Sequence, residues 1–137
     1  MKVLVIDHET FLAELVRLAL EADGHACFTA ASIDEAKEIM RSVRIDLVTL
    51  DLVVAGRDPL AWLEEVVVAR PELHGRVFIL TGRLLEQSEA VRVRASGARV
   101  IQKPFTLHQL RETVRMLTPM GGRRSDPRPR SPEIETP

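Results

Sequence analysis

Six side chains in four short stretches of this sequence could do chemistry together: Asp7, His8 and Glu9 in VIDHE, Asp51 in VTLDL, Thr81 in ILTGR, and Lys103 in IQKPF. Two carboxylates held about 4 Å apart repel by roughly 4 kcal/mol at an effective dielectric near ~20, so gathered acids need a cation or an ammonium beside them. A hard divalent ion meets that need, since Mg2+ prefers carboxylates, waters and phosphate oxygens. Asp51 could then attack phosphorus to give an aspartyl phosphate. Such a transfer is catalysed by positioning and charge neutralisation, which the ion, Lys103 and the Thr81 hydroxyl could supply. Taken singly, these residues have ordinary readings: a solvated strand end, an ion pair, a turn threonine. The chemical reading rests on the whole set sharing one edge of a fold.

Hydrophobic periodicity indicates which elements would bring the set together. Apolar, β-branched runs at residues 2–6, 25–29, 45–50, 76–80 and 99–102 predict five strands. Between them, Leu12, Leu15, Val16 and Ala19, then Ile33, Ala36, Met40 and Val43, then Leu60, Leu63 and Val67, and finally Leu107, Leu110, Val114 and Leu117 each form a helical stripe. Residues 86–96 are the weakest helix, because Arg92 and Arg94 dilute Val91 and Ala95. Ser32 with Glu35 and Thr106 with Gln109 read as capping boxes, and Gly24 and Gly97 stand where helices end. The pattern is (βα)5. Strands 1, 3 and 4 are nearly continuous apolar runs, which predicts a parallel sheet covered by helices on both faces: an α/β, doubly wound fold. Ligands of such sheets bind outside the carboxyl ends of the strands, which is where Asp7, Asp51, Thr81 and Lys103 fall. Pro104 adds a constraint, because a cis Lys-Pro bond would fix where the Lys103 ammonium points.

Composition narrows the alternatives. With 137 residues and a net charge of −1, the chain is the size of one domain and gives no general reason to expect nucleic-acid or membrane binding. The N-terminal apolar run is too short for a signal peptide and none later approaches a membrane span, so the expected location is cytoplasmic. The single cysteine, Cys27, excludes an internal disulfide and reads as a small buried thiol; Trp62, His25, His74 and His108 read as core or surface residues. Residues 119–137, PMGGRRSDPRPRSPEIETP, are rich in Pro, Gly and Arg and read as a solvated, disordered tail.

The stretches VLVID, DLVTLDL, VFILTG and ASGARVIQKPFT together resemble the receiver domain of two-component response regulators, over residues 1–118. The resemblance implies a flavodoxin-like sheet of strand order 2-1-3-4-5. It makes Asp51 the phospho-acceptor, Thr81 the switch hydroxyl and Lys103 the phosphate-binding amine, with a Mg2+ site drawn from Asp7, His8, Asp51 and Val53. It also implies a donor, either a histidine kinase, a phosphotransfer protein or a small acyl phosphate, with slow autodephosphorylation rather than conventional enzyme turnover. Output would pass through residues 82–118 to a downstream protein, without direct contact to nucleic acid. Arg92, Arg94 and Arg99 on that face suit an acidic partner or a solvated basic surface.

Three positions depart from the family pattern. His8 replaces an acid that is normally a direct Mg2+ ligand, which predicts weak Mg2+ binding and admits a borderline ion such as Mn2+. Val54, Ala55 and Pro59 replace a Met-Pro pair and a glycine after the acceptor, and Val100 replaces the rotating aromatic switch. These departures support a rival, a pseudo-receiver that binds protein without phosphorylation. A haloacid-dehalogenase-like phosphatase is disfavoured because Val53 stands where its second acid belongs, and the absence of G-x-x-x-x-G-K-[ST] and G-x-G-x-x-G motifs disfavours nucleotide sites.

Overall fold

The computed structural model describes residues 1–54 and 58–117. The expected tail from residue 119 and the departure at Ala55 lie outside the described residues. In chain order the elements are β1 (Lys2–Ile6), α1 (Thr10–Ala22), β2 (Ala26–Ala30), α2 (Ile33–Ser42), β3 (Leu47–Asp51), α3 (Pro59–Ala69), β4 (Val77–Thr81), α4 (Gln87–Ala95), β5 (Arg99–Gln102) and α5 (Leu107–Leu117). A short 3-10 turn, Pro71–Leu73, follows α3. The strands form one parallel sheet in the order β2-β1-β3-β4-β5. This is the expected α/β, flavodoxin-like architecture.

Alternate residues of each central strand enter different apolar layers, as the two-residue period of a strand requires. Leu4, Ile6, Val48, Leu50, Val77 and Ile79 pack with Ile33, Ala36, Leu60, Trp62, Leu63 and Val93 from α2, α3 and α4. Val3, Val5, Leu47, Phe78 and Leu80 pack with Ala13, Val16 and Leu20 of α1 and Leu110 and Val114 of α5. All of β3 and β4 is buried, whereas the edge strands β2 and β5 retain exposed residues. Continuous apolar runs therefore mark the interior of the sheet.

Several boundaries differ from the sequence reading. β3 begins at Leu47 rather than residue 45: Ile45 is fully buried but precedes the paired segment, so burial alone mimicked a strand. β3 and β4 each run one residue further than expected, making Asp51 and Thr81 the last strand residues. β2 is shifted one residue toward the C-terminus.

Helix termini follow local chemistry. Ser32 Oγ accepts from the Glu35 amide at 3.2 Å, although the Glu35 carboxylate reaches back to the Ala31 amide rather than that of Ser32. Thr106 and Gln109 form the full reciprocal pair. Asp58 caps α3 by accepting from the Leu60 amide at 3.0 Å, with Pro59 as first helical residue. Gly97, at φ +73°, ends α4, and a Cβ there would lie 2.5 Å from the His74 ring. The thinly apolar α4 buries only Val93. Side-chain ties supplement that anchor: Arg92 forms two hydrogen bonds to Glu64 of α3, at 3.0 and 2.8 Å.

Candidate functional site

The carboxyl ends of β1, β3, β4 and β5 bring the predicted residues to one edge. The Asp7 amide donates to Ala30 O at 3.0 Å, and the Lys103 amide donates to Thr81 O at 2.7 Å, so both residues continue the sheet pairing by one step. The Lys103–Pro104 peptide is cis. Asp7 and Asp51 are each only 2% exposed, while Lys103 is largely covered.

Lys103 Nζ lies 3.2 Å from Glu9 Oε1, 3.6 Å from Asp7 Oδ2 and 3.7 Å from Asp51 Oδ2. Burial disfavours the ammonium, yet Asp7, Asp51 and Glu9 outweigh it and hold the Lys103 pKa above its usual value. Asp7 is also raised, first by burial and further by the Asp51 charge, against the lowering effect of the Glu9 amide and Lys103. That amide donates to Asp7 Oδ1 at 2.8 Å. Asp7 Oδ2, although buried, accepts no hydrogen bond among the described residues. A cation beside it would relieve both conditions.

His8, at the position of the expected missing acid, hydrogen-bonds Asp51 Oδ2 through Nδ1 at 2.6 Å and lies 3.7 Å from Asp7 Oδ1. The His8 side chain is 43% exposed. Asp51 Oδ1 accepts from the Val53 amide at 3.1 Å. Val53 can offer a metal only its carbonyl, since the side chain has no donor atom. Carboxylate oxygens of Asp7, Glu9 and Asp51 and a ring nitrogen of His8 lie within 4.8 Å of one another. Glu9 is absent from the ligand set that the resemblance implies; its signal in the sequence is adjacency to Asp7 and His8, and the fold brings it to Lys103.

Thr81 stands beside Asp51 on the neighbouring strand, but its hydroxyl turns to the following loop. Oγ1 donates to Arg83 O at 3.1 Å and accepts from the Arg83 amide at 3.2 Å. Arg83 in turn makes two 2.8 Å hydrogen bonds to Glu89 of α4. A hollow of about 450 Å3 lined by Leu12, Gly82, Lys103, Pro104 and Phe105 opens beside the ammonium.

On the expected output side, Val100 is 41% exposed at the start of β5. Arg92 of α4 is paired with Glu64 of α3 and stands 3.8 Å from Asp58, contacts with distant acids that the order of residues could not reveal. Cys27 is half-buried, and burial pushes its thiol up to about 11. No described helix is long and apolar enough to cross a membrane.

Comparison with known proteins agrees with this geometry. The response regulator receiver domain family matches residues 3–115. The transcriptional regulatory protein PmrA of Pectobacterium parmentieri is 34% identical over 122 residues, covering 85% of this chain and 52% of that protein. BasR of Escherichia coli K12 is 27% identical with the same two coverages. The chain thus spans about half the length of these curated relatives. Among solved structures, the receiver domain of NtrX from Brucella abortus superposes with a TM-score of 0.72 at 32% identity, covering 83% of this chain and 95% of that one. A CheY-like receiver domain from Methanospirillum hungatei gives 0.75 at 22% identity, over 85% and 91% of the two chains, and this likeness concerns the fold. With the acidic edge, the lysine and the strand order all in agreement, the chain belongs to the response regulator receiver domain family.

Proposed function

We propose that the chain is a phospho-accepting receiver in which Asp51 takes a phosphoryl group from a histidine kinase, a phosphotransfer protein or a small acyl phosphate. The observation that carries this reading is the setting of Asp51: a buried strand-end carboxylate with Lys103 Nζ 3.7 Å from its Oδ2 and the strand-end Thr81 next to it. In the transfer from phosphohistidine, an Asp51 oxygen forms the new P–O bond while the donor P–N bond breaks and its imidazole keeps the electron pair. Lys103 neutralises charge on the phosphoryl oxygens. The buried Asp7 Oδ2, which accepts no hydrogen bond and has the Lys103 ammonium only at 3.6 Å, fits a divalent cation, and Asp7, Asp51, the Val53 carbonyl and His8 would hold it. When bound, Mg2+ would supply charge neutralisation at the phosphoryl group.

The phosphoryl group adds about −1.5 to −2 charge at Asp51 and gives the Thr81 hydroxyl a stronger acceptor than Arg83 O. Rotation of Thr81 toward it releases the Arg83 backbone, and the Arg83–Glu89 pair passes the movement to α4. No aromatic rotation takes part, because Val100 has no ring. A downstream protein is contacted through residues 82–118.

Incubation with acetyl phosphate and Mg2+, read by intact mass, tests the acceptor. Wild type gains one phosphoryl group and Asp51→Asn gains none. A gain that survives Asp51→Asn refutes the assignment. Absence of labelling with every donor and divalent ion would leave a phosphorylation-independent protein-binding module.

A further inference from the structure

We propose that Asp7, His8, Glu9 and Asp51 form a mixed nitrogen–oxygen site for a borderline first-row transition ion, with the His8 ring as a direct ligand. This deepens the reading of the edge as a cation-assisted acceptor site by naming the class of ion.

The placement of His8 is the first ground. Although its side chain is 43% exposed, Nδ1 faces inward to Asp51 Oδ2 at 2.6 Å and Asp7 Oδ1 at 3.7 Å rather than out to water. The nitrogen therefore stands where a ligand atom is needed. Asp7 Oδ2 gives the second, independent ground: it belongs to a residue 2% exposed, accepts no hydrogen bond, and has the Lys103 ammonium no closer than 3.6 Å. A buried carboxylate oxygen left in that state favours an ion.

Charge and reach agree. With the imidazole neutral, three carboxylates face one ammonium among the described residues, leaving two negative charges for a divalent cation to balance. The four donor groups lie within 4.8 Å of one another. Ligands about 2.1 Å from a shared ion stand at most about 4.2 Å apart, so closure of a few tenths of an ångström is required. The exposed His8 and Glu9 can supply it while Asp7 and Asp51 stay fixed in the sheet edge.

Almost any nitrogen or oxygen site binds Co2+ more tightly than Mg2+, so that preference alone does not identify His8 as a ligand. The distinguishing property is how the preference depends on residue 8. An imidazole suits borderline ions, whereas a carboxylate suits Mg2+. Replacing one with the other should move the two affinities in opposite directions.

The test is calorimetric titration of the full chain with Mg2+, Mn2+ and Co2+ at one fixed pH and without any phosphoryl donor, with the visible absorption of Co2+ as a second readout. His8→Asp should bind Mg2+ more tightly and Co2+ more weakly, lowering the Co2+/Mg2+ affinity ratio by about 10-fold or more, and should shift the Co2+ absorption. His8→Gln should lose Co2+ affinity without gaining Mg2+ affinity, and it serves also if His8→Asp fails to fold. An unchanged ratio and unchanged absorption in the folded variants would overturn the proposal, as would failure of wild type to bind any of the three ions. Labelling of Asp51 is scored separately, so a failed metal assignment leaves the acceptor result intact.

Discussion

Because Asp7 is buried, accepts no hydrogen bond at Oδ2 and shares its surroundings with Asp51, its ionised form is held at a cost that Lys103 relieves only in part. Asp7→Asn keeps the shape and removes the charge. In metal-free buffer near neutral pH this variant should be more stable than wild type by on the order of 1 kcal/mol, read by urea unfolding. Saturating divalent cation should erase the gain, because an ion that binds only the folded wild type stabilises that protein alone. A less stable Asp7→Asn in metal-free buffer would mean that the Lys103 pairing dominates. Asp7, Asp51, Thr81 and Lys103 were legible in the sequence because each ends a strand, and parallel strands end on one edge. The inward turn of His8 and the contact of Glu9 with Lys103 were not, since both depend on side-chain direction after the strand has ended.

At the scale of elements, helix α5 closes over α1 through a pair that the sequence separates by 88 positions. Arg111 donates to Asp23 Oδ2 from Nε at 3.0 Å and to Oδ1 from an Nη at 2.6 Å, just beyond the end of α1. The Arg111 hydrogen bonds hold the Asp23 carboxyl below its ordinary value of 3.8. A lowered carboxylate contributes stability that is present above the unfolded pKa and lost as pH falls through the folded one. Asp23→Asn should therefore cost about 1 kcal/mol at neutral pH, and the difference from wild type should disappear in strong acid. A pH-independent difference between the two proteins would assign the effect to packing. Local signals of helix termini were legible at Ser32 and Thr106, whose types favour caps. The box at the start of α4 was not recognised, because it is built from Glu86 and Glu89 and glutamate is not a preferred cap residue. The attachment of α4 through Arg92 was hidden for a different reason: Glu64 lies 28 positions away on a neighbouring helix.

For the whole molecule, the sheet is the common wall of two apolar layers, and adjacent residues of β4 serve opposite sides of it. Phe78 enters the layer with α1 and α5, while Ile79 enters the layer with α2, α3 and α4. Trp62, the sole tryptophan, lies in the latter layer and reports on it alone. This arrangement separates two ways of unfolding. If the layers were independent, a cavity beside α1 and α5 would melt those helices early and leave the Trp62 signal unchanged. The shared strands argue otherwise: β1, β3 and β4 place alternate residues in both layers, so losing one face removes the support of the other. Phe78→Ala should cost about 3–5 kcal/mol, a large part of the roughly 5–15 kcal/mol that stabilises a domain. Its melting temperature should fall by about 10–20 °C. Trp62 fluorescence and far-ultraviolet circular dichroism should fall together in one transition, although the substitution lies across the sheet from the tryptophan. Two separated transitions, with the fluorescence change at the wild-type temperature, would show that the layers unfold independently.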